Sequence, residues 1–200
     1  ESVRDGLLNI IHTFSPSPAQ EMVDYFFHTP GKLLRPTLVV LSARSVKPHQ
    51  PELNPQVIKL ALAIELIHSA SLIHDDIIDK ADYRRQQESL NHKFGNRLAV
   101  IAGDILYTEV FSLLADLPKN VWQSILKTTV AMCYGEIDEI KNISELTPVT
   151  LTGYLEVIKS KTASLMSTCC ELGTVLTGNN PGTTKNMAQY VLDFGMVYQL

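Results

Sequence analysis

Residues 68–85, HSASLIHDDIIDKADYRR, place acidic and then basic side chains at the end of an apolar segment. Asp75 and Asp79 are four residues apart, so on a helix their carboxylates lie on one face, roughly 6 Å apart along the axis. Like charges at this spacing destabilise a helix unless a ligand or a cation compensates. Carboxylates of this kind suit Mg²⁺, which proteins usually hold with one or two carboxylates together with substrate phosphates. The spacing therefore predicts a magnesium site at Asp75 and Asp79.

Two arginines and a histidine flank this acidic pair. Arg84 and Arg85 follow within two helical turns, and the guanidinium fork matches phosphate oxygens in bidentate geometry. His68 precedes Asp75 by seven residues, on nearly the same face and roughly 10 Å lower on a helix. Carboxylates for a metal and arginines for phosphates together predict a diphosphate-binding cleft. A histidine packed in the core is the alternative interpretation of His68.

A second basic patch lies at residues 31–36, GKLLRP. Lys32 and Arg35 are three residues apart, and Pro36 suits the first turn of a helix. Two cations at a helix start run against the macrodipole, which favours anions there. An anion bound by these side chains and by the free N–H groups would remove the conflict. Two solvated cations at the edge of a loop are the alternative.

Lys161 and Thr162 stand within an otherwise apolar helical segment, KSKTASLMS. A buried lysine needs an anion, and a threonine inside a helix turns its hydroxyl either to the backbone or to a ligand. Gln199 places an amide on the apolar helix that ends FGMVYQL. Residues of this kind, taken alone, are more often structural than functional.

Apolar residues recur at intervals of three and four along the chain, which indicates α-helices and no regular strands. This pattern and the turn residues between its segments predict one all-α domain over residues 1–200. Several helices are apolar nearly all round, which is typical of the middle of a bundle or of an oligomer interface. The predicted helices are 1–13, 18–28, 33–46, 54–81, 96–116, 119–143, 148–177 and 184–200.

Charge and composition exclude some classes of partner. The formal net charge of −4 argues against a nucleic-acid partner. No run of eighteen apolar residues occurs, which predicts no transmembrane segment. Cys133, Cys169 and Cys170 lack CxxC spacing and lie in apolar segments, as reduced core cysteines of a cytoplasmic protein do.

Taken in order, these motifs resemble those of the trans-polyprenyl diphosphate synthase family, of the medium- or long-chain type. The resemblance covers nearly the whole chain. Its segments are GKLLRP (31–36), ELIHSASLIHDDIID (65–79), RR (84–85), FGN…AGD (94–104), GEIDEIK (135–141), KT (161–162) and FGMVYQ (194–199).

The resemblance implies an isoprenoid synthase fold, a helical bundle around a deep central apolar cavity. It implies head-to-tail condensation of isopentenyl diphosphate with an allylic diphosphate, assisted by Mg²⁺. It assigns the metal to Asp75 and Asp79, supported by Asp76. The residues that it assigns to the allylic substrate are Arg84, Lys161, Thr162 and Gln199. The residues that it assigns to isopentenyl diphosphate are Lys32, Arg35, His68 and Arg85.

The same resemblance makes the residues one turn below Asp75 the determinants of product length. Ala70 and Ser71 are small where short-chain relatives carry bulky aromatic side chains. The candidates for a deeper floor are Ile67, Ile64 and Phe111. Small side chains leave the pocket open, so we expect a product longer than farnesyl. The resemblance also implies a homodimer formed through the helix at 96–116.

Three departures from the family pattern stand out. The residues after Arg85 read QQES and lack the usual glycine and proline, and Pro30 replaces a second glycine before Lys32. The chain stops at Leu200, where the family's second aspartate-rich motif is expected. We therefore expect these residues to be the N-terminal part of a longer polypeptide.

Three other functions share some of these features. A metal-dependent phosphohydrolase of the HD type would need His68 and His74 to converge, which six residues on a straight helix do not allow. A class I terpene cyclase shares the DDxxD motif but binds no second diphosphate. A non-catalytic or regulatory subunit of a two-component prenyl synthase is the third alternative.

Overall fold

The helical periodicity of the sequence is realised as ten α-helices, one π-helical turn and one two-residue-per-strand hairpin within the residues that the structure describes. The structure is a computed structural model that describes residues 3–14, 17–29, 31–49, 52–144, 150–178 and 180–200. The prediction of an all-α fold is confirmed. The helices are α1 Val3–Thr13, α2 Pro18–His28, α3 Leu34–Val46, α4 Pro55–Ile78, α5 Leu90–Phe94, α6 Asn96–Ala115, α7 Lys119–Ser144, α8 Leu151–Ile158, α9 Ser164–Gly178 and α10 Pro181–Gln199. The hairpin pairs β1 Tyr83–Arg84 with β2 Gln87–Glu88, and the π-helical turn is Lys159–Ala163.

Side-chain caps fix the starts of several helices. Ser17, Ser89, Thr150 and Asn180 each accept a hydrogen bond from a backbone N–H of the first turn that has no partner within its helix. Proline occupies the first turn of α2 and of α10, where its missing N–H costs nothing. Of these four starts, that of α2 agrees with the sequence prediction, whereas α8 begins at Leu151 and not at 148, α10 begins at Pro181 and not at 184, and α5 was not predicted.

The chain divides into two compact units. The first comprises Glu1–Pro36 and Ile58–Asp116, and the second comprises Thr37–Val57 and Leu117–Leu200. Helix α3 therefore begins in the first unit and continues in the second, whereas α4 lies almost wholly in the first.

Helix α4 is the buried centre of the first unit. Its side chains Leu60, Ile64, Leu66, Ile67 and Ile73 have almost no exposed surface. Helix α1 approaches it closely, because a Cβ added at Gly6 would lie 2.9 Å from Leu62 Cδ1. A helix that is apolar all round is stable only in such a surrounding, which agrees with the sequence prediction for this segment.

Helices α9 and α10 form the core of the second unit, together with α3 and α7. Leu165, Met166 and Leu172 of α9 are fully buried. The backbones of α9 and α3 lie close together, because a Cβ added at Gly173 would be 2.5 Å from the Val39 carbonyl oxygen. Gly173 therefore permits a packing distance that any larger residue would prevent.

Two predicted helices differ from the structure in their course. The segment 148–177 is not one regular helix, since α8 and α9 are separated by the π-helical turn, and residues 148 and 149 lie outside the described residues. The helix predicted to reach residue 81 ends at Ile78, because Lys80 adopts a left-handed φ of 52°. Helix α5 and the hairpin were not predicted.

Two helices, α4 and α6, are long and apolar enough to cross a membrane by length and composition alone. In α4, 67% of the apolar eighteen-residue stretch is buried, as in a core helix of a globular protein, whereas in α6 the buried share is 33%. A core helix passes the same test, so this is weak evidence for a membrane span. The absence of a transmembrane segment stays a prediction.

Candidate active site

The three aspartates at the end of α4 have different environments. Asp75 is half-buried, Asp76 is buried and Asp79 is exposed. Asp76 accepts two hydrogen bonds from Arg84, from Nε to Oδ2 at 2.7 Å and from Nη2 to Oδ1 at 2.6 Å. This bidentate ion pair is the strong form of an arginine–carboxylate contact. The structure therefore makes Asp76 the partner of Arg84.

The chain leaves α4 through a tightly bonded corner. The Ala81 N–H donates to the Asp76 carbonyl oxygen at 2.9 Å, which closes the end of the helix. The Ser89 hydroxyl donates to the Ala81 carbonyl at 2.6 Å and also caps α5. These bonds hold the hairpin against the acidic end of α4, and this positions Arg84.

The hairpin turn consists of Arg85 and Gln86, with φ of 51° and 66°. Positive φ at both central residues is the geometry of a type I′ turn, which favours glycine or asparagine. Gln87 anchors the following strand, since its amide accepts from the Thr29 hydroxyl at 2.5 Å and donates to the Tyr25 carbonyl at 2.9 Å. The chain thus forms a two-residue turn even though the segment QQES lacks the usual glycine and proline, and the turn carries backbone strain.

We expect Gln86→Gly to raise the free energy of unfolding by about 0.5–1 kcal/mol. Glycine removes the left-handed strain of roughly 1–2 kcal/mol and loses part of that gain through the flexibility of the unfolded chain. Urea unfolding monitored by circular dichroism measures the change. Gln87→Gly is the matched control, and it should destabilise the protein because it removes both side-chain hydrogen bonds. Equal effects of the two changes would contradict the strain argument.

Arg85 lies against the start of the GKLLRP segment. Its Nη1 donates to the Thr29 carbonyl oxygen at 3.2 Å, and a Cβ added at Gly31 would be 2.7 Å from its Nη2. Glycine at position 31 therefore leaves room for the guanidinium. Lys32 follows with an exposed side chain. Pro30, the other departure from the family pattern, lies outside the described residues.

A buried carboxyl, Glu65, and a half-buried imidazole, His68, lie within electrostatic reach of three arginines. Burial raises the pKa of Glu65 to about 7, although the charges of Arg35 and Arg85 act to lower it. Burial lowers the pKa of His68 to about 3, and Arg35, Arg85 and Arg84 add to this effect. Of the residues predicted to bind isopentenyl diphosphate, Arg35, His68 and Arg85 are thus brought together in the first unit. His68 is held neutral, as a hydrogen-bonding group rather than a cation.

Glu65 and His68 should give the stability of the protein opposite pH dependences. The contribution of Glu65 is full below pH 4.5 and is lost as the pH rises through about 7, whereas that of His68 is full above pH 6.5 and is lost as the pH falls towards about 3. Between pH 4.5 and 6.5, the stability contributed by Glu65 therefore falls as the pH rises, while that contributed by His68 increases. In Glu65→Gln, we expect the free energy of unfolding to rise with pH over this window, relative to wild type.

Urea unfolding at several pH values from 4.5 to 7 tests this expectation. Glu52→Gln is the matched control, because Glu52 is an exposed carboxyl. A Glu65→Gln profile that runs parallel to the wild-type profile would contradict the buried, protonated state of Glu65.

His74 is packed against α6. Its Nε2 lies 3.2 Å from the Val100 carbonyl oxygen and 3.7 Å from Asp104 Oδ1. A Cβ added at Gly103 would come within 2.3 Å of His74 Nε2, so glycine is required for the ring to lie there. His74 and His68 have different surroundings, which does not favour the HD phosphohydrolase alternative.

Lys161 and Thr162 lie in the π-helical turn of the second unit. Lys161 Nζ is 2.6 Å from Glu136 Oε2 and 2.6 Å from Glu139 Oε2, and Thr162 Oγ1 donates to Gln199 Oε1 at 3.4 Å. The structure thus brings three of the four residues predicted for the allylic substrate together within this unit, whereas the fourth, Arg84, belongs to the first unit. These three residues line a cavity of about 290 Å³ whose walls include Ile143, Tyr154 and Val157.

Two glycines allow neighbouring helices to approach the π-helical turn. A Cβ added at Gly135 of α7 would lie 3.1 Å from the Lys161 backbone nitrogen, and one added at Gly195 of α10 would lie 2.8 Å from Ala163 Cα. Turns of this kind often occur at functional sites, because they widen a helix and redirect its side chains. Sequence periodicity alone did not reveal this turn.

Most of the residues predicted to limit product length lie on α4, whereas Phe111 lies on α6 and is 65% exposed, which does not favour it as a pocket floor. Ala70 and Ile67 are buried, and Ser71 is half-buried with its hydroxyl donating to the His68 carbonyl oxygen at 2.9 Å. The deep central cavity that the resemblance implies stays a prediction.

Sequence reasoning missed three acidic residues in these clusters. Glu65 is a solitary acid in an apolar stretch three residues before His68, and that contrast was an available signal. Glu136 and Glu139 lie one helical turn apart in GEIDEIK, yet only the fold shows that both contact Lys161.

An all-α fold in which a long buried helix ends in DDxxD, followed by two arginines, defines the class of polyprenyl synthases, and this chain belongs to the polyprenyl synthetase family, whose model matches residues 16–200. The chain is 35% identical over 184 residues to heptaprenyl diphosphate synthase component 2 of Geobacillus stearothermophilus. This match covers 92% of this chain and 56% of the relative. It is 34% identical over 171 residues to the octaprenyl diphosphate synthase of Escherichia coli, which covers 85% of this chain and 51% of the relative.

Solved structures agree with this assignment. The polyprenyl synthase of Caulobacter crescentus, crystallised with calcium and isoprenyl diphosphate, matches with a TM-score of 0.87 and 26% identity over 98% of this chain and 60% of its own. The heptaprenyl diphosphate synthase of Staphylococcus aureus matches with a TM-score of 0.87 and 26% identity, over 100% of this chain and 64% of its own. The isoprenoid synthase fold is confirmed. The chain spans about half the length of the curated relatives that it matches.

Proposed function

We propose that the protein condenses isopentenyl diphosphate head-to-tail with an allylic diphosphate and forms a trans-polyprenyl diphosphate longer than farnesyl. The observation that carries this proposal is the end of α4. There Asp76 is bound to Arg84, while Asp75 and Asp79 lie one turn apart with a half-buried and an exposed side chain. The family relatives named above support the same reaction class.

The donor set at this end of α4 fits Mg²⁺. Within the residues that the structure describes, no three His, Cys, Asp or Glu side chains cluster as a metal site. A two-carboxylate site is nevertheless appropriate for Mg²⁺, which keeps several waters and binds substrate phosphates. Asp75 and Asp79 would hold the metal. When bound, Mg²⁺ supplies a Lewis acid that stabilises negative charge on a departing diphosphate.

The basic residues of the first unit bind the charged ends of the substrates in this proposal. Asp76 uses Nε and Nη2 of Arg84, so Asp76 orients the guanidinium and Nη1 remains to donate to the allylic diphosphate. Lys32, Arg35 and Arg85 provide positive charge for isopentenyl diphosphate. Neutral His68 contributes a hydrogen bond without competing for a counter-ion.

In the second unit, Lys161, Thr162 and Gln199 are proposed to contact an allylic diphosphate. Lys161 provides a point charge, and Thr162 and Gln199 provide neutral hydrogen-bond donors. The apolar walls beside them exclude water, which would otherwise capture an allylic cation. The proton lost on condensation is taken up by the departing diphosphate.

An assay with radiolabelled isopentenyl diphosphate, farnesyl diphosphate and Mg²⁺ tests the proposed reaction. Thin-layer chromatography of the extracted products should show a ladder of prenyl alcohols that ends beyond farnesol. Turnover of the allylic diphosphate alone into a cyclic hydrocarbon would instead support a terpene cyclase. Absence of any product from the purified protein would contradict a catalytic role and support the regulatory-subunit alternative.

Ala70→Tyr should shorten the product. The aromatic ring would fill space about one turn below Asp75, where Ala70 is fully buried, and would block further elongation. The chain length of the extracted product measures this effect. Ser45→Ala, a change on α3, is the control for general damage. An unchanged product distribution in Ala70→Tyr would contradict the pocket assignment.

A second copy of this chain is the proposed partner, bound through α6. This helix exposes large apolar side chains, with Leu98 49%, Ile101 52% and Phe111 65% accessible. An apolar face of this kind is typical of a subunit interface. Light scattering should show a dimer for the wild-type protein. The variant Ile101→Asp should be shifted towards the monomer. We also propose a cytoplasmic location, which the free and buried Cys169 and Cys170 support. Cys133 is exposed, so the prediction that all three cysteines lie in the core is wrong for this residue.

A further inference from the structure

Lys161 is contacted by two carboxylates from α7. The distances from Lys161 Nζ to Glu136 Oε2 and to Glu139 Oε2 are both 2.6 Å, slightly shorter than the roughly 2.7–2.9 Å of charge-assisted N–H···O hydrogen bonds. Two carboxylates around one ammonium leave an excess negative charge beside the cavity. A diphosphate that approaches Lys161 must therefore compete with a carboxylate for the same ammonium group.

The two carboxylates are not equivalent. The Glu136 side chain is 15% exposed, whereas the Glu139 side chain is 40% exposed and lines the cavity. Breaking the more buried pair costs more, because it leaves a poorly solvated charge without a partner. Separating Lys161 from the more exposed Glu139 costs little, since water can solvate the freed carboxylate and an incoming anion can pair with the ammonium group.

The backbone around Lys161 is held in place by its neighbours. Gly135 and Gly195 let α7 and α10 contact the π-helical turn at backbone distance. The Ser164 hydroxyl also donates to the Ser160 carbonyl oxygen at 2.8 Å. Because the turn is confined on two sides, a change of partner at Lys161 requires movement of side chains and not of the helix.

We infer that Glu139 is an exchangeable counter-ion of Lys161, which holds the ammonium group until a diphosphate displaces it, while Glu136 is the permanent anchor. The inference rests on the proposed function, since it names a residue that sets the affinity of the proposed diphosphate group. Glu139 is thus a positioning residue that weakens the binding of diphosphate and speeds its release. Glu136 keeps the Lys161 side chain aligned during this exchange.

Titration calorimetry with inorganic pyrophosphate and Mg²⁺ tests this inference. We expect Glu139→Gln to bind pyrophosphate about two- to fivefold more tightly than wild type. Asp138→Asn is the matched control, because it removes the same charge from an exposed neighbour on α7. Its affinity should change little. Glu136→Gln should not tighten binding, since it loosens the anchor of Lys161.

A Lys161→Gln background separates the specific effect from a general change in charge. There, Glu139→Gln should alter pyrophosphate affinity no more than Asp138→Asn does. In steady-state assays, Glu139→Gln should lower KM for the allylic diphosphate and increase inhibition by pyrophosphate.

The inference is overturned if Glu139→Gln and Asp138→Asn bind pyrophosphate equally tightly. It is also overturned if Glu136→Gln binds pyrophosphate more tightly than Glu139→Gln does. Failure of the proposed function is recognised separately, because wild type would then form no prenyl product.

Discussion

Asp75→Asn is expected to lower the rate of prenyl transfer at least about a hundredfold, the order of effect seen when one electrostatic stabiliser is removed from an active site. The amide keeps the shape of the side chain and loses the charge that would hold Mg²⁺. The free energy of unfolding should change little or increase, because Asp75 and Asp79 repel each other at i and i+4. Initial rates at saturating Mg²⁺ and substrate measure the change.

Asp82→Asn is the matched control for this experiment. Asp82 is an exposed aspartate that follows the same helix and lies 3.1 Å from His92 Nδ1. It should retain nearly wild-type activity. A similar loss in both variants would show that the rate responds to net charge and not to a metal site at Asp75.

Arg84→Met is expected to lower the free energy of unfolding by about 2–4 kcal/mol, since it leaves Asp76 buried without its partner. Asp76 has only 3% of its side chain exposed, while Arg84 has 30%. Urea unfolding at neutral pH measures the loss. Arg84→Lys should recover only part of it, because an ammonium group cannot reproduce the two parallel hydrogen bonds.

The double variant Asp76→Leu with Arg84→Met distinguishes ion pairing from packing. Removing both charges should restore a substantial part of the stability lost in Arg84→Met, as for other buried pairs replaced by apolar side chains. Arg85→Met is the control, because Arg85 is exposed and its change should cost much less. If the double variant is no more stable than Arg84→Met, the stability lost in Arg84→Met does not come from leaving the Asp76 carboxylate without a partner.

The sequence was sufficient to predict most of the helices and the aspartates at the end of α4. Helix α4 is recognisable because its apolar residues continue for several turns and then stop at three aspartates. The ranges of α2 and α3 agree with prediction to within one residue, since Ser17 and Pro18 at the start of α2 are strong local signals. Local information of this kind is readable without knowledge of tertiary contacts.

Contacts between distant segments were not predictable in the same way. Arg84 was predicted to meet substrate directly, and only the fold shows that Asp76, eight residues earlier, accepts two of its hydrogen bonds. Lys161 has partners more than twenty residues away on α7. The turn at Arg85 and Gln86 has positive φ without glycine, so turn propensity gave no indication of it.

The π-helical turn at Lys159–Ala163 has a consequence for how the second unit tolerates change in length. A π turn accommodates one residue more than an α turn, so the helical stretches before and after it keep their own packing faces. Deleting Ser160 would convert the segment into an uninterrupted helix, with α9 still seated in its core. Lys161 would then follow the regular α-helical course of its neighbours and lose the widened turn from which it reaches Glu136 and Glu139.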